Sequence, residues 1–368
     1  MQSSNKNIHS LHFIRGLAAL IVVVYHAKFI LWAGGTLWKN NIGFHSVTDY
    51  ILFGIDMLSS CGEQCVLIFF LLSGFVIYHS FQHSDKSLKH FFVIRSLRIY
   101  IPYIVSLCIS LAVLYYAVKL NSGIAVDGVR EYNTRLLSAY KEIGVSNILK
   151  TLFFIKGNEY AGFNFVYWSL LHEAIFYIVF PIYFYAGKRY RALFMLIHLV
   201  AYLFTKNNIF YFQLFFLSGM FLYDYYSTSR ELFLRNSRLY LPLILLFYCA
   251  TNLLTKLPWQ HFANIAALIT AALAFDYLLT GRQTFNRFFK GLADMSFSLY
   301  LNHLWVLLIC YCISFRYFGS LLLYQRYPYY LSIPVALLVS WLLYLLVEKK
   351  SLKLISWVKG GWKKVLNS

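Results

Sequence analysis

Among the ionisable side chains in otherwise apolar stretches of the chain, four stand out: Arg15, His26, Glu173 and His303. Ionisable groups inside a bilayer are costly and mark functional positions by default. Arg15 and His26 are eleven residues apart, close to three helical turns. They share a helix face and stand about 16 Å apart along its axis. An imidazole can take a proton from a hydroxyl, and a carboxylate can fix its tautomer and stabilise its protonated form. Counted from the expected outer helix ends, His26 lies about 9 Å deep, Glu173 about 10 Å and His303 about 13 Å. Glu173 is thus depth-matched to His26, and His303 could join or replace that pair. His172, next to Glu173, points elsewhere on its helix and is secondary.

A second set of residues suits a different task. In the stretch RSLR, Arg95 and Arg98 are spaced i and i+3, on one side of a helix. Guanidinium forks match phosphate oxygens. A basic inner pocket below an acid–base pair near the outer side suits a long phosphorylated donor whose reactive end reaches into the membrane, a shape that coenzyme A thioesters have. Each residue alone also has an ordinary reading. Arg15 could snorkel to the interface, His26 could make an interhelical hydrogen bond, and Arg95 and Arg98 could belong to a basic inside loop. Ser73 is a possible nucleophile by motif position, but Ser73-Gly74 reads better as a site of close helix packing.

These side chains need a scaffold, and composition says which. Of 368 residues, 60% are hydrophobic and 13% charged, against about 45–50% and about 25% in soluble domains. A lipid-facing surface accommodates the excess. Ten apolar segments fit the length of about 20 residues that a spanning helix needs: 12–32, 61–81, 99–119, 166–187, 189–205, 208–224, 239–257, 262–280, 292–312 and 329–348. The fifth and sixth are short and rich in aromatics. The expected fold is all-α, a polytopic membrane bundle of about ten helices forming one domain over residues 1–368.

The net charge of +19 reads as topology rather than nucleic-acid binding. With the N-terminus in the cytoplasm, the basic residues Lys6, Lys86, Lys89, Arg95, Arg98, Lys188, Arg189, Arg191, Arg230, Arg235, Arg238, Arg282, Arg287 and Lys290 all fall inside. So do the six lysines after Glu348. The positive-inside rule then places both termini in the cytoplasm. The long outer segment, about 120–165, has room for an amphipathic helix on the outer surface, and the Lys-rich tail suits the anionic inner leaflet. No cleavable signal peptide is expected. The six cysteines contain no CxxC pair, so neither a zinc site nor a redox motif is expected.

With these features in view, the chain resembles the acyltransferase-3 family of integral-membrane enzymes that acylate cell-surface glycans. LHFIRGLAALIVVVYHA is similar to the family's opening Arg, ten residues, His motif. CVLIFFLLSGFVI, with Ser73-Gly74-Phe75, resembles its second block, and FFVIRSLRIYIPY its Arg-x-x-Arg block. WSLLHEAIFYIVFP carries Trp168, Ser169, Glu173, Phe176, Tyr177 and Pro181 of the next. FSLYLNHLWV carries Ser298, Tyr300 and His303, and LVEKK resembles the closing helix end at Glu348. The six blocks follow family order across nearly the whole chain. The start of the second block departs from it, with Glu63, Gln64 and Cys65 where Gly-Val-Asp or similar is usual.

The resemblance implies an acyltransferase of groups other than amino-acyl groups, most simply an O-acetyltransferase. It implies acetyl-CoA or another acyl-CoA as co-substrate, no permanently bound cofactor or metal, and a surface or lipid-linked glycan as acceptor. It also implies catalytic roles for His26 and Glu173 and donor contacts from Arg15, Arg95 and Arg98, with Ser73, Trp168, Tyr300 and His303 as further candidates. Multi-pass residence in a bacterial cytoplasmic membrane follows, with membrane lipids and glycan-assembly proteins as partners and no nucleic acid. No soluble esterase-like domain is expected after the last helix. The rivals are a transporter or flippase of a lipid-linked glycan, a membrane acyltransferase of another class acting on lipids or proteins, and a noncatalytic scaffold. The first would show paired repeats and broken helices.

Overall fold

The computed structural model describes residues 11–40, 46–84, 86–120, 131–229, 237–280 and 287–366. Lys6, Arg230, Arg235 and Arg282, used above for topology, lie outside the described residues, as does 121–130 of the long outer segment. The described residues contain helices, turns and no strand. In chain order the α-helices are α1 (Leu11–Leu31), α2 (Gly34–Lys39), α3 (Val47–Met57), α4 (Gly62–Gln82), α5 (Leu88–Leu120), α6 (Glu131–Lys141), α7 (Val145–Leu152), α8 (Trp168–Ala186), α9 (Arg191–Thr205), α10 (Asn208–Ser229), α11 (Tyr240–Leu254), α12 (Gln260–Thr280), α13 (Arg287–Asp294), α14 (Ser296–Phe318), α15 (Tyr327–Leu343) and α16 (Lys349–Leu366). One π turn, Tyr344–Glu348, joins the last two.

Each of the ten expected segments is helical. Among the described residues, seven stretches are long and apolar enough to cross a membrane: Leu11–Leu31, Val47–Gln82, Leu88–Leu120, Phe165–Ala186, Gln260–Leu279, Ser296–Phe318 and Tyr327–Val358. The other three expected segments are α9, α10 and α11. Helices α9 and α11 are short at 15 residues each. Helix α10 is interrupted in its apolar character by Asn208, Gln213 and Asp224. The third expected helix starts earlier than its apolar run suggested. Helix α5 begins at Leu88, so Arg95 and Arg98 lie within it at the i, i+3 spacing that puts them on one side of a helix. The segment expected to lie outside holds two described helices, α6 and α7, broken where Gly144 is fully extended. Many large apolar side chains face outward, among them Ile178, Ile182, Leu196, Phe204, Leu246 and Leu338. Lipid makes such a surface favourable, whereas water would not.

The chain divides into two compact units. The first comprises Met1–Val22, Met57–Phe91 and His172–Ser296. Its centre is the close pairing of α4 and α10. A Cβ on Gly74 would stand 2.0 Å from the Phe216 carbonyl oxygen, and one on Gly219 would stand 2.0 Å from that of Leu71. Small residues at such crossings let helix backbones touch, which is how apolar helices associate where there is no hydrophobic drive between them. Polar anchors fix the remaining helices of this unit. Asn252 Oδ1 accepts the Ser60 and Cys61 N–H groups at 2.9 and 3.1 Å, ahead of the start of α4. Gln64 Nε2 donates to Asn264 Oδ1, and Asn264 Nδ2 to the Tyr211 hydroxyl. Arg191, buried, meets Asp224 at 2.9 Å with its guanidinium 4.4 Å above the Tyr78 ring.

The second unit comprises Val23–Asp56, Phe92–Leu171 and Phe297–Ser368. It is tied by buried tyrosines. The Tyr103 hydroxyl donates to the Thr151 carbonyl, and the Tyr311 hydroxyl to Asn133 Oδ1. These bonds fasten α7 to α5 and α6 to α14. Gly162, at φ +77°, takes a left-handed turn that favours glycine, and a Cβ there would meet Ser110 at 2.6 Å. That approach brings Asn164 to donate to the Leu301 carbonyl at 2.8 Å.

Candidate active site

Helix α1 carries His26, half-buried, and α14 carries His303, fully buried. The structure joins them: His26 Nδ1 lies 3.0 Å from His303 Nε2. The ring centroids are 5.1 Å apart at an interplanar angle of 24°, an offset-stacked pair that brings these two nitrogens together at its edge. The other nitrogen of His303, Nδ1, lies 3.0 Å from the Leu299 carbonyl oxygen. A carbonyl only accepts, so His303 Nδ1 carries the proton and donates it. In a neutral ring Nε2 must then be the acceptor, and His26 Nδ1 must be the donor. A relay of two hydrogen bonds therefore sets one tautomer of His26, with its lone pair on Nε2. That is the form required of a general base.

Around this pair the wall is polar and fully engaged. The Tyr300 ring lies 6.1 Å from that of His303. The Tyr300 hydroxyl donates to the Val166 carbonyl at 3.1 Å and meets Ser169 Oγ at 2.7 Å. The Phe165 ring covers an edge of His26 at 5.3 Å between centroids. Above Phe165 stands Arg135, its guanidinium 5.5 Å from the ring centre. Arg135 is held by a two-pronged bond to buried Glu159, at 2.5 and 3.1 Å. That carboxylate raises the arginine pKa above its ordinary value. Burial, with the charge of Glu159, pushes neighbouring Tyr160 up to about 12. Helix α14 itself is capped from the far end of the chain. Buried Glu348 accepts the Ser298 N–H at 3.0 Å and its hydroxyl at 2.5 Å.

The other expected residues fall as follows. Glu173, half-buried on α8 in the first unit, accepts the Tyr177 hydroxyl at 2.5 Å one turn along. Arg15, half-buried, is on the α1 segment of the same unit. Next to it Gly16 packs on α13, where a Cβ would stand 2.9 Å from the Ala293 nitrogen. Arg95 and Arg98 are half-buried on α5 in the second unit. Ser73 is half-buried beside the Gly74 crossing, and half-buried Trp168 opens α8. Among the described residues no group of three or more His, Cys, Asp or Glu could hold a metal ion. Sequence reasoning assigned no role to the Arg135–Glu159 pair. Its only outward signal was an acid and a base within a segment otherwise read as surface.

A family model described as an acyltransferase domain matches residues 8–351. The chain belongs to the acyltransferase-3 family. The match runs through both units and includes every expected site residue. Searches of curated proteins and of solved structures gave no match. The acyltransferase-3 assignment and the apolar spans together make this a multi-pass membrane acyltransferase. It transfers groups other than amino-acyl groups, from an acyl donor to an acceptor.

Proposed function

We propose that the protein is an O-acyltransferase that takes an acyl group, most simply acetyl, from cytoplasmic acyl-CoA to a hydroxyl of an extracytoplasmic or envelope polysaccharide. The observation that carries this reading is the relay from the Leu299 carbonyl through His303 to His26. His26 Nε2 takes the proton of the acceptor hydroxyl as its oxygen attacks the thioester carbonyl. The carbon–sulfur bond breaks, and the proton passes from His26 to the departing coenzyme A thiolate. His303 positions His26 and strengthens its hold as the imidazolium forms. The phosphates of the donor go to Arg95 and Arg98, which share one side of α5. Arg15 is a further donor contact. Glu173, fixed by Tyr177, is a second acid–base group to be tested in its own right. The basic loops favour cytoplasmic termini, the apolar runs about ten crossings, and the family resemblance a bacterial cytoplasmic membrane.

The test is acyl transfer. Membranes holding the wild type or His26→Ala at equal expression receive radiolabelled acetyl-CoA, and label is followed into extracted envelope glycan. Label with the wild type and none with the variant supports the reading. Equal label from both removes His26 from the chemistry. Glycan flux across the membrane with no label from either protein, with acetyl-CoA or succinyl-CoA as donor, speaks for a flippase instead.

A further inference from the structure

A cavity of about 480 Å³ opens between α6, α7 and the loop that follows, lined by Glu142, Ser146, Asn147, Lys150, Gly157 and Asn158. Its size is within the usual range of small-ligand sites, roughly 300–1,000 Å³. One residue in it is out of place. Asn147 is 8% exposed, although its neighbours Val145 and Ser146 are exposed. Neither its Oδ1 nor its Nδ2 meets a protein partner. Buried side-chain amides are ordinarily satisfied, so an unpaired one needs an explanation. Helix α7 does not leave Asn147 there by default, because the same helix satisfies Thr151 through Ala161 N–H at 3.0 Å. Gly157 borders the same space: a Cβ there would lie in van der Waals contact, 3.4 Å from Asn147 Oδ1 and 3.8 Å from Glu142 Oε2, so a larger side chain would enter it. On the other side Asn158 Nδ2 donates to Glu142 Oε1 and steadies that carboxylate.

We propose that this cavity is an acceptor subsite that binds a neutral sugar residue of the glycan, away from the hydroxyl that is acylated. The proposal rests on the reading that the acceptor is an extracytoplasmic glycan. A side-chain amide offers two donors and an acceptor oxygen, a match for adjacent sugar hydroxyls that each donate and accept. Glu142 adds an acceptor and Lys150 a donor. Their charges balance, so the lining has no net charge to draw an anion or a cation, which suits a neutral polyol. The site is also linked to the proposed base within the same unit. Asn158 precedes Glu159, Glu159 holds Arg135, Arg135 lies over Phe165, and Phe165 touches the ring of His26. A polymer gripped here is anchored to the wall of the reaction site, and this remote contact holds substrate and transition state alike, so it lowers KM without changing kcat.

Full-length protein in nanodiscs, with acyl-CoA, would be given size-fractionated oligosaccharides released from the envelope glycan of the host. Asn147→Leu removes the amide, and Gly157→Val fills the space while leaving the polar set in place. Both should raise KM for the longer fragments about ten-fold, the equivalent of one lost hydrogen bond of about 1.4 kcal/mol. They should leave kcat, the KM for acyl-CoA and the melting temperature unchanged. Wild-type KM for every fragment in both variants would overturn the subsite while leaving the function intact. If the wild type acylates no fragment, the proposed function falls, and binding of the same fragments without donor decides the subsite separately. Binding weakened about ten-fold in both variants supports it. Equal binding by all three proteins, or none by the wild type, overturns it.

Discussion

Replacing His303 by leucine removes the acceptor to which His26 Nδ1 donates, while keeping a buried apolar side chain in α14. Its effect on turnover follows from what that bond must do. Between neutral rings whose nitrogens stand 3.0 Å apart, such a bond contributes about 0.5–1.5 kcal/mol. When His26 takes the proton of the acceptor the donor becomes cationic, and a bond to a charged group contributes about 1.5–3 kcal/mol. The transition state therefore loses roughly 1–1.5 kcal/mol more than the ground state, about a 5- to 10-fold drop in kcat. Without His303 the imidazole of His26 also divides between two tautomers, only one of which has its lone pair on Nε2. The combined fall is about 10- to 25-fold in kcat, with KM for acyl-CoA little changed. The assay is transfer of labelled acetyl to glycan by purified protein in nanodiscs. Two controls separate positioning from damage. His303→Gln places an amide oxygen near the former Nε2 and should recover much of the loss. The double variant His26→Ala/His303→Leu should be no slower than His26→Ala, because residues acting as a unit are not additive. A double variant whose losses multiply, or a His303→Leu protein with wild-type kcat, would refute the relay.

Other consequences follow from single contacts. Gly74→Ala and Gly219→Ala each put a methyl group into a backbone carbonyl. Each should destabilise the first unit by about 1–3 kcal/mol or more, seen as a lower melting temperature in detergent, whereas Ser73→Ala should leave both stability and transfer near wild type. Asp224→Asn leaves the guanidinium of Arg191 buried without its charge partner. It should cost about 3–5 kcal/mol, and Arg191→Met/Asp224→Leu should recover most of that in the same thermal assay. Arg95→Ala and Arg98→Ala should each raise KM for acyl-CoA about ten-fold with a smaller effect on kcat, and lysine at either position should restore it only in part.

The helices were legible because long apolar runs bounded by basic loops have few other solutions. The early start of α5 was not, because LKHFFVIRSLR reads as a basic loop when only hydropathy is counted. Its Lys, His and Arg side chains are nonetheless compatible with a helix that continues past the apolar run. At the site, expected depth favoured Glu173 as the partner of His26 and left His303 as one that could join or replace it. The choice between partners was beyond the sequence, since His26 and His303 are 277 residues apart and periodicity says nothing about which helices touch. The proton positions on the two rings depended on the Leu299 carbonyl, a backbone group with no sequence signature. Asn147 is harder still. As a residue type it is unremarkable in a polar outer segment, and its burial alone sets it apart.

On the proposed function, acyl groups leave a donor on the side of Arg95 and Arg98 and arrive on a glycan on the side of α6 and α7. Proteoliposomes of known orientation test this directly. Oligosaccharide is sealed inside, with α6 and α7 facing the lumen, and labelled acetyl-CoA is added outside. Labelled luminal glycan with the wild type, none with His26→Ala, and none when donor and acceptor are exchanged between sides is the predicted result. Label that appears only when donor and glycan share one compartment would contradict transfer across the membrane.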